Sequence, residues 1–129
     1  MLKLTLTTAA ALLGLGVSAL AGPAIWQVTE ELDGAGIKIA QGDWNVAIEG
    51  DKISGSANMA LQNGNPLTYK FEGAFKDGVY TLNLSDRSDG KKGCVWTGHA
   101  PTGMGVQTKG LVGYAPCEGQ KLILRASGM

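Results

Sequence analysis

The chain has 129 residues, 11 basic and 11 acidic side chains, one histidine, two cysteines and twenty glycines. Charge this evenly balanced, with no basic run beyond Lys91-Lys92, excludes a phosphate-neutralising surface and so argues against nucleic-acid binding. One histidine and two cysteines without C-x-x-C spacing give no zinc ligand set, and G-x-S-x-G and C-x-x-C-H are both absent.

The first 21 residues read as a leader. Lys3 gives a charged start, Leu4–Val17 is apolar, and Ala19-Leu20-Ala21 has the small-residue pattern of a signal-peptidase site. The threonines and glycines within this stretch make it short for a membrane anchor. Export to the periplasm or medium is therefore expected, leaving one domain from Gly22 to Met129. Without Lys3 that domain has ten basic and eleven acidic side chains, a net charge near −1. No second apolar stretch of spanning length follows, so a soluble mature protein is expected. In an oxidising compartment Cys94 and Cys117 are expected to form a disulfide, and closing a loop of this size stabilises by roughly 3 kcal/mol.

After the leader, apolar residues recur at every second position in short runs, the pattern of strands with one buried face. Strands are predicted near 25–31, 36–40, 43–48, 52–61, 66–75, 78–85, 93–99, 105–114 and 120–126. In 52–61, Ile53, Gly55, Ala57, Met59 and Leu61 share a face; in 66–75, Leu67, Tyr69, Phe71 and Phe75 alternate with polar residues. Turn signals separate them: "EGDK" (49–52), "QNGNP" (62–66), "KDGV" (76–79), "SDRSDGKK" (85–92), "APTGMG" (100–105) and "APCEGQ" (115–120). Connections this short imply antiparallel neighbours. The predicted fold is all-β, an antiparallel meander of eight to nine short strands closed into a small barrel or tight sandwich. The two cysteines then staple the hairpin "GCVWTGHA…VQTKGLVGYAPC" at its far ends.

Candidate chemistry is sparse. His99, before Ala-Pro, is read as a solvated residue at a loop mouth, with no nucleophile or acid–base partner identifiable. Glu30-Glu31, Asp43, Asp51, Asp77, Asp86 and Asp89 mostly fall in turns, where aspartate bonds its own backbone. "DRSDG" (86–90) lacks the ligand spacing and terminal glutamate of a calcium loop, and the sequon at Asn83 lies within a strand. No catalytic residue, metal or cofactor is assigned. The aromatic residues carry more information: Met59, Tyr69, Phe71, Tyr80, Trp96 and Tyr114 are the candidate ligand-binding set, able either to fill a core or to line a small apolar pocket.

"GDW" (42–44) at the opening of a strand resembles the G-x-W motif of lipocalins and related calycin barrels, a plan shared with avidin-like and bacterial metalloprotease-inhibitor barrels. The resemblance implies that Trp44 plugs one barrel end and that a basic residue of the last strand, here Arg125 in "LILRAS", packs across it, a cation–π contact of about 1 kcal/mol. A second resemblance, of "IWQVTEELDG" and "IEGDKISGSANM" to META-type exported domains, lacks the usual G-C-N, since Ser56-Ala57-Asn58 stands there. The functional expectation is an exported, non-enzymatic binding protein holding a small apolar ligand or presenting a loop rim to a partner. The alternative is a hydrolase inhibitor or envelope interaction module using Gln62–Pro66, Ser85–Lys92, Ala100–Met104 or the Gly22–Gln27 segment. A barrel of this size has a narrow bore, so a ligand must be small or only partly buried.

Overall fold

A computed structural model describes residues 22–101 and 110–128. The leader, most of the Ala100–Met104 rim and the start of the strand expected at 105–114 lie outside them. The described residues form β1 (Gly22–Leu32), β2 (Ile37–Glu49), β3 (Lys52–Leu61), β4 (Pro66–Lys76), β5 (Val79–Ser85), β6 (Cys94–His99), β7 (Leu111–Cys117) and β8 (Gln120–Ser127). Each strand pairs with the next, and β1 pairs with β8, so the meander closes into a barrel. The closing seam runs from Gln27 opposite Ser127 to Leu32 opposite Leu122. Among the described residues no helix is long and apolar enough to cross a membrane.

The period-two pattern accounts for the closure. Inward positions are Trp26, Val28 and Glu30 on β1; Ala40, Trp44 and Val46 on β2; Ile53, Ala57 and Met59 on β3; and Leu67, Tyr69 and Phe71 on β4. Leu82 and Leu84, Cys94 and Trp96, Ala115 and Cys117, and Leu122, Leu124 and Ala126 complete the ring. Burying each large side chain contributes about 1.5–3 kcal/mol, which no single strand could gain alone. At the Asp77-Gly78 turn both residues adopt positive φ (53° and 83°), matching the right-handed twist of β4 and β5.

The two strands expected at 36–40 and 43–48 are one. Gly42 is not a break: it faces inward opposite Met59, whose backbone occupies the place of an added Cβ. Glycine there serves close approach rather than a turn, which brings the count to eight.

The barrel has two unlike ends. The upper end carries the 33–36, 62–65, 86–93 and 118–119 connections; the lower end carries 50–51 and 77–78, the end of β6 and the start of β7, with both ends of the described chain. Of the expected loops, 62–66 and 85–92 lie at the upper end, whereas Ala100 and Pro101 follow β6 at the lower end. Gly22–Gln27, expected as an interaction segment, is strand paired with Asp43–Ile48. Near the upper end a disulfide joins Cys94 at the start of β6 to Cys117 at the end of β7.

Candidate functional site

The interior is built around Trp44. Its ring stacks on Phe71 at 4.3 Å, meets Trp96 edge-on at 5.3 Å, and neighbours Trp26 and Tyr69 at 6.2 and 6.1 Å. Gly55 makes the stack fit, since an added Cβ would stand 2.6 Å from the Phe71 ring. The Trp96 indole N–H donates to the Gly113 carbonyl at 3.2 Å, so this buried donor is satisfied by the chain itself. Of the candidate ligand-binding residues, Met59, Tyr69, Phe71 and Trp96 lie together in this interior and pack on their neighbours.

The other two lie elsewhere. Tyr80 is half-buried at the lower end. Tyr114 points outward, 51% exposed, with the Lys121 ammonium over its ring. Strand parity explains this: Ala115 and Cys117 face inward, so Tyr114 must face out. Arg125 is likewise outside, between inward Leu124 and Ala126, and its Nε bonds Glu31 at 3.0 Å. It does not cover Trp44, which the sequence resemblance had led us to expect.

A different arginine closes the upper end. Arg87, from the β5–β6 connection, reaches inward with its side chain 1% exposed. Its Nη2 and Nη1 donate to the two carboxylate oxygens of Glu30 at 3.1 and 3.3 Å, and Glu30 is wholly buried. The guanidinium also lies 4.7 Å from the centre of the Tyr69 ring and donates to both oxygens of Asp89, at 2.8 and 3.1 Å. The Tyr69 hydroxyl donates to Glu30 at 2.6 Å and accepts from the Trp44 indole at 3.0 Å, linking the ion pair to the aromatic stack.

Charge and burial shift the groups in this network. Burial, then the adjacent Glu30 carboxylate, raises the Tyr69 phenol well above its ordinary 10.0. For Arg87, burial alone would lower the pKa, but hydrogen bonds to Asp89 and Glu30 hold it above the ordinary value. For Asp89, burial pushes upward and is outweighed by bonds from Arg87 and the Lys91 N–H, leaving the carboxyl below 3.8. In the "DRSDG" turn Asp89 thus pairs with the Arg87 guanidinium. Among the described residues no three His, Cys, Asp or Glu side chains converge as metal ligands.

Glu30 escaped recognition in the sequence because it stood with turn carboxylates, although Trp26, Val28 and Glu30 share one parity. That parity was the available signal. Arg87 left none, since a turn has no alternation to show which side chain folds inward.

The lower end is aromatic instead. Buried Trp26 meets Tyr80 edge-on at 5.4 Å, and Tyr80 packs at 4.4 Å on Phe75, which is 38% exposed. Three rings thus step from core to solvent. Ile48 opposite Ile53 adds aliphatic surface at this end, and half-buried His99, with Nδ1 2.9 Å from the Ala100 carbonyl oxygen, lies across from Val79 of β5. A broad concavity of about 1020 Å³ lies beside it, on the outer face of β2–β5, bounded by Ala47, Ser54, Glu72, Ala74 and Asn83. No aromatic side chain lines it.

This architecture is an eight-stranded antiparallel meander closed into a β-barrel. No family model matches the chain, and no curated protein matches it either. Solved structures do. A redesigned β-barrel, mFAP1, bound to DFHBI is 20% identical with a TM-score of 0.64, covering 81% of this chain and 93% of that one. A de novo designed fluorescence-activating β-barrel is 14% identical with a TM-score of 0.60, covering 87% and 97%. A second redesigned barrel is 16% identical, TM-score 0.61, covering 83% and 90%. At these identities the likeness is one of fold.

Proposed function

We propose that the chain is an exported, non-enzymatic binding barrel that takes a small, flat, apolar ligand at its lower mouth, against Phe75, Tyr80 and the edge of Trp26. The observation that carries this reading is the graded aromatic step at one end of a barrel whose other end is closed. Export is supported by the leader-like first 21 residues and by the disulfide. The redesigned barrel of the same fold, bound to DFHBI, supports small-molecule recognition by this architecture.

Rings already packed on one another favour contact at the mouth over full enclosure. A ligand burying about 200 Å² of apolar surface there gains roughly 5 kcal/mol. That corresponds to a dissociation constant of about 0.1–1 mM before any polar contact is added. Titration of a planar apolar dye, read by its fluorescence, tests the site. Phe75→Ala is expected to weaken binding at least about fivefold, because its exposed ring supplies stacking worth about 1 kcal/mol. Undiminished binding by a folded Phe75→Ala protein would refute the mouth. Native mass spectrometry of the mature protein expressed in a bacterial periplasm would reveal a copurifying ligand lost on denaturation.

A further inference from the structure

We propose that the upper end of the barrel contains a preformed site for a planar organic cation, an alkylguanidinium, which the chain fills with its own Arg87. Two walls of the site, Glu30 and Tyr69, belong to the sheet; a third, Asp89, belongs to the loop that delivers the arginine. Glu30 stands on β1 with both oxygens turned to the guanidinium, and Tyr69 on β4 offers its ring face at 4.7 Å. The hydrogen bond from Tyr69 to Glu30, and that from Trp44 to Tyr69, fix both walls without help from Arg87.

A forked pair of carboxylate oxygens beside an aromatic face suits guanidinium better than ammonium. The flat cation satisfies both oxygens at once and stacks on the ring, and it loses less hydration on burial. Arg87 reaches this place from the 86–93 connection, anchored to β4 by Ser88 N–H to the Thr68 carbonyl at 2.9 Å and Thr68 N–H to Ser88 Oγ at 3.0 Å. The side chain is therefore a tethered occupant, present at an effective concentration in the millimolar range. An external cation gains entry when that side chain is absent or the loop has lifted.

The test uses Arg87→Ala, which keeps Cβ and removes what ethylguanidinium can resupply. Ethylguanidinium is expected to raise the thermal midpoint with the logarithmic dependence of specific binding, by about 6–10 °C at tenfold its dissociation constant. Sodium chloride at equal ionic strength should leave the midpoint unchanged, ethylammonium should raise it less, and the wild type should not respond. Glu30→Gln/Arg87→Ala should lose the response. Should Arg87→Ala be unfolded alone, the same titration is expected to restore its near-ultraviolet circular dichroism. No midpoint shift or restoration, an equal response in the double variant, or an equal response to ethylammonium would each overturn the proposal.

Discussion

Replacing Arg87 with methionine should be the most damaging single change at the upper end, and more damaging than replacing Glu30 with glutamine. Glu30 is wholly buried, and beyond Arg87 its one remaining partner among the described residues is the Tyr69 hydroxyl at 2.6 Å. Without Arg87 the carboxylate keeps one donor and loses its counter-charge. Two unit charges about 4 Å apart at an effective dielectric of about 20 attract by about 4 kcal/mol, and stranding one member of a buried pair costs about 3–5 kcal/mol. Arg87 is better placed when its partner is neutralised. Asp89 still accepts two of its bonds, and the Asp89 side chain is 18% exposed, within reach of water. Glu30→Gln also keeps an acceptor for Tyr69, so it should cost about 1–3 kcal/mol. Glu30→Gln/Arg87→Met should then be more stable than Arg87→Met by about 2 kcal/mol, since the stranded charge is gone. The assay is equilibrium unfolding in urea followed by tryptophan fluorescence; guanidinium chloride is unsuitable because its cation is the group under study. A Glu30→Gln cost equal to that of Arg87→Met, or strictly additive losses in the double variant, would refute the reasoning.

Three further outcomes are expected. Tyr69 has its pKa raised in the fold, so its stabilisation is complete below pH 10.0 and declines as pH climbs from there toward the folded value. Thermal midpoints between pH 8 and 11.5 should therefore fall more steeply for wild type than for Tyr69→Phe; parallel curves would count against the buried phenol. Asp89 behaves oppositely: its pKa is lowered, so its contribution is present above 3.8 and lost as pH falls through the folded value, and Asp89→Asn should flatten the acid limb of the same curve. Arg125→Ala removes an ion pair whose arginine side chain is 54% exposed and should change stability by less than about 1 kcal/mol, whereas Cys94→Ala/Cys117→Ala should cost about 2–5 kcal/mol, both measured by urea unfolding.

Much of the fold was legible because alternation and turn chemistry agreed. Asp77-Gly78 sits where an Asp-Gly pair marks a hairpin, and Lys52–Leu61 begins and ends where its alternating run does. The gap expected at 41–42 is continuous strand, because Gly42 serves a close backbone contact that only the partner strand reveals. The site was less legible for a related reason. Strand parity says which residues share a face, and with Cys117 as reference it turns Tyr114 outward, while Leu124 and Ala126 do the same for Arg125. Parity does not report depth along the barrel axis, so Tyr69 at the upper network and Tyr80 at the lower mouth looked equivalent. A long-range ion pair between β1 and a turn 57 positions away leaves no local pattern at all.

Three indole N–H groups make the mouth site directly measurable, because each ring meets different groups. Trp26 stands at the lower mouth beside Tyr80, Trp44 is bonded to Tyr69, and Trp96 is bonded to Gly113. In nitrogen-15 correlation spectra of the mature protein titrated with a planar apolar ligand, the Trp26 indole resonance should move saturably while those of Trp44 and Trp96 hold still. Movement of Trp44 and Trp96 together would place the ligand inside the barrel and contradict a mouth site; three unmoved resonances at millimolar ligand would contradict small-molecule binding at this end.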